Sequence, residues 1–150
     1  VIDAGTLVAG KGKDRVLGSD NWFDGGSVAS LDTPADYGKP AKPAEIGGTQ
    51  ERDALATYRQ GTFSYRVPVA DGRYRVTLWF ATAATQKAGT FDVKHGKKAL
   101  LREFQPAIPA MGAVAEAKAF TINVKSGIAL DFMAGTGEAR VSMIEIEKLR

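Results

Sequence analysis

The chain has 150 residues, 44% of them hydrophobic and 25% charged, with 17 Gly and 6 Pro. That length supports one compact hydrophobic core and leaves little room for a second. Lys and Arg number 20 against 17 Asp and Glu, so the formal charge of +3 is a small imbalance, and no basic run marks a nucleic-acid-binding tail. No apolar stretch approaches the roughly 20 residues of a membrane span. Val1 to Ala4 carry neither an initiator Met nor a signal-peptide pattern, so residues 1–150 are expected to be a single domain excised from a larger multidomain chain. The absence of Cys excludes disulfides, thiolate zinc sites, iron–sulfur clusters and thiol nucleophiles. His95 is the one histidine, so a metal site with two imidazoles is excluded and any Ser-His-acid triad would run through it. No Ser lies in a nucleophile-elbow pattern. The expectation is a domain that binds or braces, without catalysis and without a cofactor, a nucleic-acid partner or a membrane partner.

In chain order, Gly5 to Thr62 is rich in Gly, Pro, Asp and Lys and reads as long loops with one or two edge strands; Lys39-Pro40-Ala41-Lys42-Pro43 is a loop tip within it. From Thr62 onward the hydrophobic period is two. Phe63–Val67 and Tyr74–Phe80 flank Asp71-Gly72, which predicts an antiparallel hairpin. Phe91–Val93 and Ala99–Leu101 flank a turn at His95-Gly96. Ala113–Ala119 is short, rich in Ala, Glu and Lys, and reads as a loop leading into a strand. Phe120–Val124 and Ile128–Phe132 flank Ser126-Gly127, and after Gly135-Thr136-Gly137 a last strand covers Val141–Glu147. Short strands with turn signals every 8 to 12 residues and no crossover helices predict an all-β protein, an antiparallel β-sandwich.

Several segments then stand out together: Ile2-Asp3-Ala4-Gly5, Asp20-Asn21-Trp22-Phe23-Asp24-Gly25-Gly26-Ser27, Thr57-Tyr58-Arg59, Phe63–Val69, Gly72–Ala81, Phe91-Asp92-Val93 with Gly96-Lys97, and Val141–Ile146. In these the sequence resembles the malectin-type carbohydrate-binding modules, found in an endoplasmic-reticulum lectin, in plant receptor kinases and appended to bacterial glycoside hydrolases of the β-galactosidase type. The resemblance implies a jelly-roll-like sandwich related to galactose-binding domains, secreted or periplasmic, that targets an attached hydrolase to a polysaccharide. Its partners would be an oligo- or polysaccharide and the neighbouring catalytic domain of the same chain. Asp36-Tyr37-Gly38 matches the family's Asp-Tyr-Gly ligand motif, which carries Tyr37 over as a sugar-stacking residue with Asp36 beside it. Gln60 stands where the family has a second Tyr, Ala84 and Thr85 where it has an aromatic pair, and Gly137 where it has an Asp.

Other candidates rest on residue chemistry. Sugar sites pair an aromatic ring against the C–H face of a pyranose with polar groups for its hydroxyls. Trp79 shares a strand face with Arg73, Arg75 and Thr77 by alternation, which suits either an acidic sugar or packing under a loop or a neighbouring domain. Arg66, Arg73 and Arg75 read together as a basic face and point to acidic polysaccharides. Of the adjacent Trp22 and Phe23, alternation puts Phe23 in the core and Trp22 at the surface, where it lines a site or packs over a loop. Tyr58 and Arg59 are candidates for the same end of the sandwich as Tyr37, with loop pinning the structural alternative for Arg59. Asp3, Glu145 and Glu147 carry the alternative of a structural calcium, against plain solvated strand edges. The second reading of function is an accessory sandwich that packs on a catalytic domain of a glycoside hydrolase and binds no sugar, for which an apolar patch around Trp79 would be the sign.

Overall fold

A computed structural model describes residues 1–5, 10–11, 16–33, 36–40 and 42–150. The elements are β1 (Ile2–Asp3), β2 (Gly10–Lys11), β3 (Val16–Leu17), β4 (Phe23–Ser30), β5 (Ile46–Gly47), α1 (Arg52–Leu55), β6 (Thr57–Val67), β7 (Gly72–Ala83), β8 (Phe91–His95), β9 (Lys98–Phe104), β10 (Ala113–Val124), β11 (Ile128–Ala134), β12 (Ala139–Val141) and β13 (Met143–Lys148). One sheet has the order β1-β13-β7-β10-β5. The facing sheet has the order β12-β6-β11-β8-β9, with β4 also on β6. All strand pairings within these two sheets are antiparallel except that of β5 with β10, so the expected antiparallel β-sandwich is what forms.

Alternation decides which side chains meet between the sheets. Tyr74, Val76, Leu78 and Phe80 of β7 are buried against Phe63, Tyr65 and Val67 of β6, Phe91 and Val93 of β8, and Leu130 and Phe132 of β11. Phe63 stacks on Phe132 with centroids 4.6 Å apart. The odd positions of β7 face away, and there a second cluster forms: Ala81, Ala115 and Met143 meet Ile46, Ala54 and Leu55, with Trp79 packed against them.

Strand content follows the expected pattern, but strand pairing does not. Phe63–Val67 and Tyr74–Phe80 are not a hairpin: β6 and β7 lie in opposite sheets, as do β10 and β11 around Ser126-Gly127. Pro68, Val69 and Ala70 lengthen the first connection beyond a two-residue turn, and the chain crosses the sandwich there. The same crossing separates Arg66 from Arg73 and Arg75, so the three do not form one basic face. Only β8 and β9 form a hairpin of the expected kind. Ala113–Ala119 is strand rather than loop, paired residue for residue with Ala83–Thr77 of β7; cross-strand pairing overrides the low β-propensity of Ala, Glu and Lys. The last strand divides at Ser142. Before it β12 pairs with β6, and after it β13 pairs with β7. Ser142 N donates to Trp79 O at 2.8 Å and its Oγ accepts from Ala81 N at 3.1 Å, so this buried polar residue is satisfied at the switch.

Phe23 is 43% exposed and Trp22 50%, so Phe23 is not the core residue alternation suggested. Trp22 takes a left-handed φ of 61°, which breaks the two-residue period, while its carbonyl accepts from Arg66 N at 2.8 Å. The Phe23 ring instead lies beneath the Arg59 guanidinium, 3.5 Å from centroid to Cζ.

Asp20 is the polar centre of this region. Its Oδ2 accepts from Gly5 N at 2.8 Å and from Arg59 Nε and Nη2 at 3.0 and 2.8 Å, while its Oδ1 accepts from Tyr65 Oη at 2.6 Å. Arg59 Nη1 also donates to Gly25 O at 2.9 Å. Replacing Arg59 by Leu strands a buried carboxylate and should remove about 3–5 kcal/mol of unfolding free energy in urea titrations. Tyr65→Phe loses one charge-assisted bond and should cost about 1.5–3 kcal/mol. Burial, then the Asp20 carboxylate, push the Tyr65 hydroxyl far above its ordinary value of 10.0. The folded state therefore keeps a proton that the unfolded chain gives up, so this stability is complete below about pH 10 and falls as pH rises beyond it. Relative to Tyr65→Phe, the wild-type protein should lose up to about 1.4 kcal/mol per pH unit in that range, read from paired urea curves.

Candidate functional site

A cleft among the described residues opens at one end of the sandwich and has a volume of about 650 Å³. Its polar lining comes from Tyr58 and Gln60 of β6, the segment Gln86–Gly89 that follows β7, and Gly135–Arg140, which enters β12, with Phe91 and Pro106 completing the wall. Arg140 faces Gln60 across the β12–β6 pair. Gln86 closes the turn after β7, its Oε1 accepting from Ala83 N at 3.0 Å, and its Nε2 donates to Tyr58 Oη at 2.8 Å. Tyr58 itself is buried, so the cleft offers little ring face for stacking.

The wall between the two loops is built from glycine and threonine. Thr90 N donates to Thr136 Oγ1 at 2.9 Å, the two hydroxyls meet at 3.0 Å, and Thr90 O accepts from Gly135 N and Gly137 N. Gly89 and Gly137 touch backbone to backbone: a Cβ on Gly89 would sit 2.5 Å from Gly137 Cα, and a Cβ on Gly137 2.7 Å from Gly89 Cα. Glycine is required here for close approach rather than for an unusual φ, and the Asp that the resemblance leads one to seek at Gly137 would not fit against Gly89.

Arg140 is the cleft's distinctive charge. Its Nε is buried without a hydrogen-bond partner, and it forms no ion pair with any described carboxylate. Burial lowers its pKa from the ordinary guanidinium value and the nearby Tyr58 opposes that shift; an arginine remains cationic nonetheless. Lys87 and Glu138 also line the cleft and cancel in formal charge, so Arg140 leaves the lining with one uncompensated positive charge.

The residues singled out in the sequence disperse. Tyr37 sits at the tip of the Asp36–Lys39 turn and is fully exposed, outside the cleft lining; Asp36 Oδ1 accepts from Tyr37 N at 2.7 Å. Tyr58 borders the cleft, whereas the adjacent Arg59 is committed to Asp20. Trp22 is half exposed beside β4. Trp79 is partly covered by the second cluster, its Nε1 buried without a partner. Asp3 is buried on β1, Glu145 lies opposite Thr77 on β13, and Glu147 pairs with Arg75 at 3.1 Å. Among the described residues no group of three His, Asp or Glu side chains is placed to hold a metal ion. The cleft residues that sequence reasoning missed are Gln86, Lys87, Glu138 and Arg140. Their one signal was position, since they flank the aromatic-pair and Asp positions that the resemblance emphasised.

Gly89→Ala should push the two loops apart, lowering unfolding free energy by about 1–3 kcal/mol in denaturant titrations and releasing the Thr90–Thr136 contacts, visible as faster amide exchange at Thr90.

Comparison with solved structures shows the same fold in unrelated settings. A calcium-binding mutant of Bacteroides uniformis β-glucuronidase 2 is 17% identical with a TM-score of 0.78, covering 99% of this chain and 18% of that one. The plant receptor-like kinase FER is 20% identical, with a TM-score of 0.68 and coverages of 99% and 41%. The ANX1 ectodomain from Arabidopsis thaliana is 14% identical, with a TM-score of 0.69 and coverages of 99% and 40%. The chain thus spans less than half the length of each. No curated protein matches it. Residues 2–147 match the Malectin domain, a non-catalytic carbohydrate-binding domain, and the chain belongs to that family.

Proposed function

We propose that this domain binds a saccharide in the cleft between Gln60, Gln86 and Arg140 and thereby holds an attached glycoside hydrolase, outside the cytoplasm, on its polysaccharide. The observation that carries the reading is the convergence of donors and acceptors from three separate segments on one concave site in a domain of the malectin family. Gln60 and Gln86 supply amides, Tyr58 a hydroxyl that already accepts from Gln86, and the framing loops present little bulk at Gly89, Gly135 and Gly137. Binding raises the local concentration of substrate for a tethered enzyme without adding chemistry of its own. Tyr37, exposed with Asp36 on its turn, and Trp22 beside β4 add ring surface for a longer chain; any contribution from Trp79 is confined to its uncovered edge.

A second reading has one observation in its favour. Trp22, Phe23 and Val28 expose apolar surface along β4, whose outer edge has no strand partner among the described residues, and such a surface suits packing against a neighbouring domain. Calorimetric titration of the protein with a panel of neutral and acidic oligosaccharides separates the two. Saturable binding to at least one glycan is expected, weakened about tenfold by Gln86→Ala, which removes one hydrogen-bonding group and unpairs Tyr58. Silence across the panel, with retention of a hydrolase domain through β4, would sink the saccharide reading.

A further inference from the structure

We propose that the cleft is specific for a sugar bearing a carboxylate, a uronic acid residue, which docks on the guanidinium of Arg140. This rests on the saccharide reading of the cleft and gives it a substrate class.

Arg59 has Asp20 as its partner, Arg66 has Asp131 at 2.7 Å, Arg75 has Glu147 at 3.1 Å and Arg52 has Asp32 and Asp53. These four are each matched by an acid, whereas Arg73, Arg102 and Arg150 form no ion pair with a described carboxylate but are exposed to water. Arg140 is half-buried, lines the cleft and has no such acid among the described residues. A cation withdrawn from water without a counter-ion is unfavourable, and an incoming carboxylate relieves that cost in a way a neutral hydroxyl cannot. The planar guanidinium also offers a fork of donors matched to a carboxylate. Glu138 lines the same cleft and repels a second anion, while Lys87 offsets it. The balance of the lining is one positive charge, suited to a singly charged sugar unit with hydroxyls directed to Gln60 and Gln86. Little ring face is on offer, so recognition falls on these polar groups, and a site built from polar groups rejects ligands that leave them unpaired.

The test titrates the whole chain with disaccharides ending in glucuronic or galacturonic acid, each beside its carboxyl-reduced neutral counterpart and a sulfated version of that counterpart. At least one uronic sugar should bind about tenfold tighter than its reduced counterpart, the advantage shrinking with added salt. Arg140→Gln should abolish the preference while leaving residual binding of the neutral sugar, and Arg140→Lys should retain part of it. Because the substitution removes a desolvated, unpartnered charge, Arg140→Gln should melt no lower than wild type, which keeps a loss of binding from being a loss of fold. Equal affinity for uronic and reduced sugars overturns the carboxylate inference and leaves the saccharide reading standing. Persistence of the preference in Arg140→Gln, or tighter binding of the sulfated sugar, overturns it as well. Binding of none of them overturns both.

Discussion

The carboxylate of Asp20, buried and taking four hydrogen bonds from Gly5, Arg59 and Tyr65, is the contact on which the loop-rich first third depends. That stretch contributes few side chains to the inter-sheet core, so it cannot be held by apolar burial alone. An ion removed from water is tolerable only when its lone pairs are fully used, and here the donors come from the N-terminal segment and from the central strand β6, whose Arg59 also donates to Gly25 O of the edge strand β4. The free-energy consequence is asymmetric. Complete, the network makes a modest net contribution; with one partner missing, it leaves a charge in the interior.

The same strand carries the cleft. Arg59 lies between Tyr58 and Gln60, so the ion pair that fixes the loops also fixes the strand that Gln86 bonds through Tyr58 and that Arg140 faces at Gln60. Rigidity on the opposite wall comes from a different source, the backbone contact of Gly89 with Gly137 and the paired hydroxyls of Thr90 and Thr136. A polar binding site benefits from both, since donors already held in place need no ordering when a ligand arrives.

The alternation of Phe63–Val67, Tyr74–Phe80 and Ile128–Phe132 made the strands and their buried faces legible in the sequence, because period two is a local property. Which strands pair is not local. Asp71-Gly72 has the composition of a hairpin turn, yet the two strands beside it separate into opposite sheets and meet face to face across the core. Ala113–Ala119 hid its strand because its burial does not alternate along the chain. Phe23 misled because one left-handed residue, Trp22, resets the alternation. At the site, the Asp-Tyr-Gly motif was readable and marks an exposed turn, whereas Arg140 looked like any surface arginine; its significance lies in the acid it lacks, and that depends on every strand around it.

A formal charge of +3 spread over 150 residues carries almost no information about ligands, and the arginines of the two outer sheet faces illustrate why: Arg66 and Arg75 are exposed, paired across strands with acids and surrounded by water, so their fields are screened within about 10 Å at moderate salt. Arg140 contributes the same formal charge in a half-buried cleft, where lower polarisability and the missing partner let it act on a bound molecule at full strength. Desolvation before the ligand arrives is therefore the property that separates a recognition arginine from a solubilising one. In this chain the switch of the last strand from one sheet to the other at Ser142 shapes that setting, because it turns Ala139–Val141 away from β7 and lays Arg140 against β6 beside the cleft.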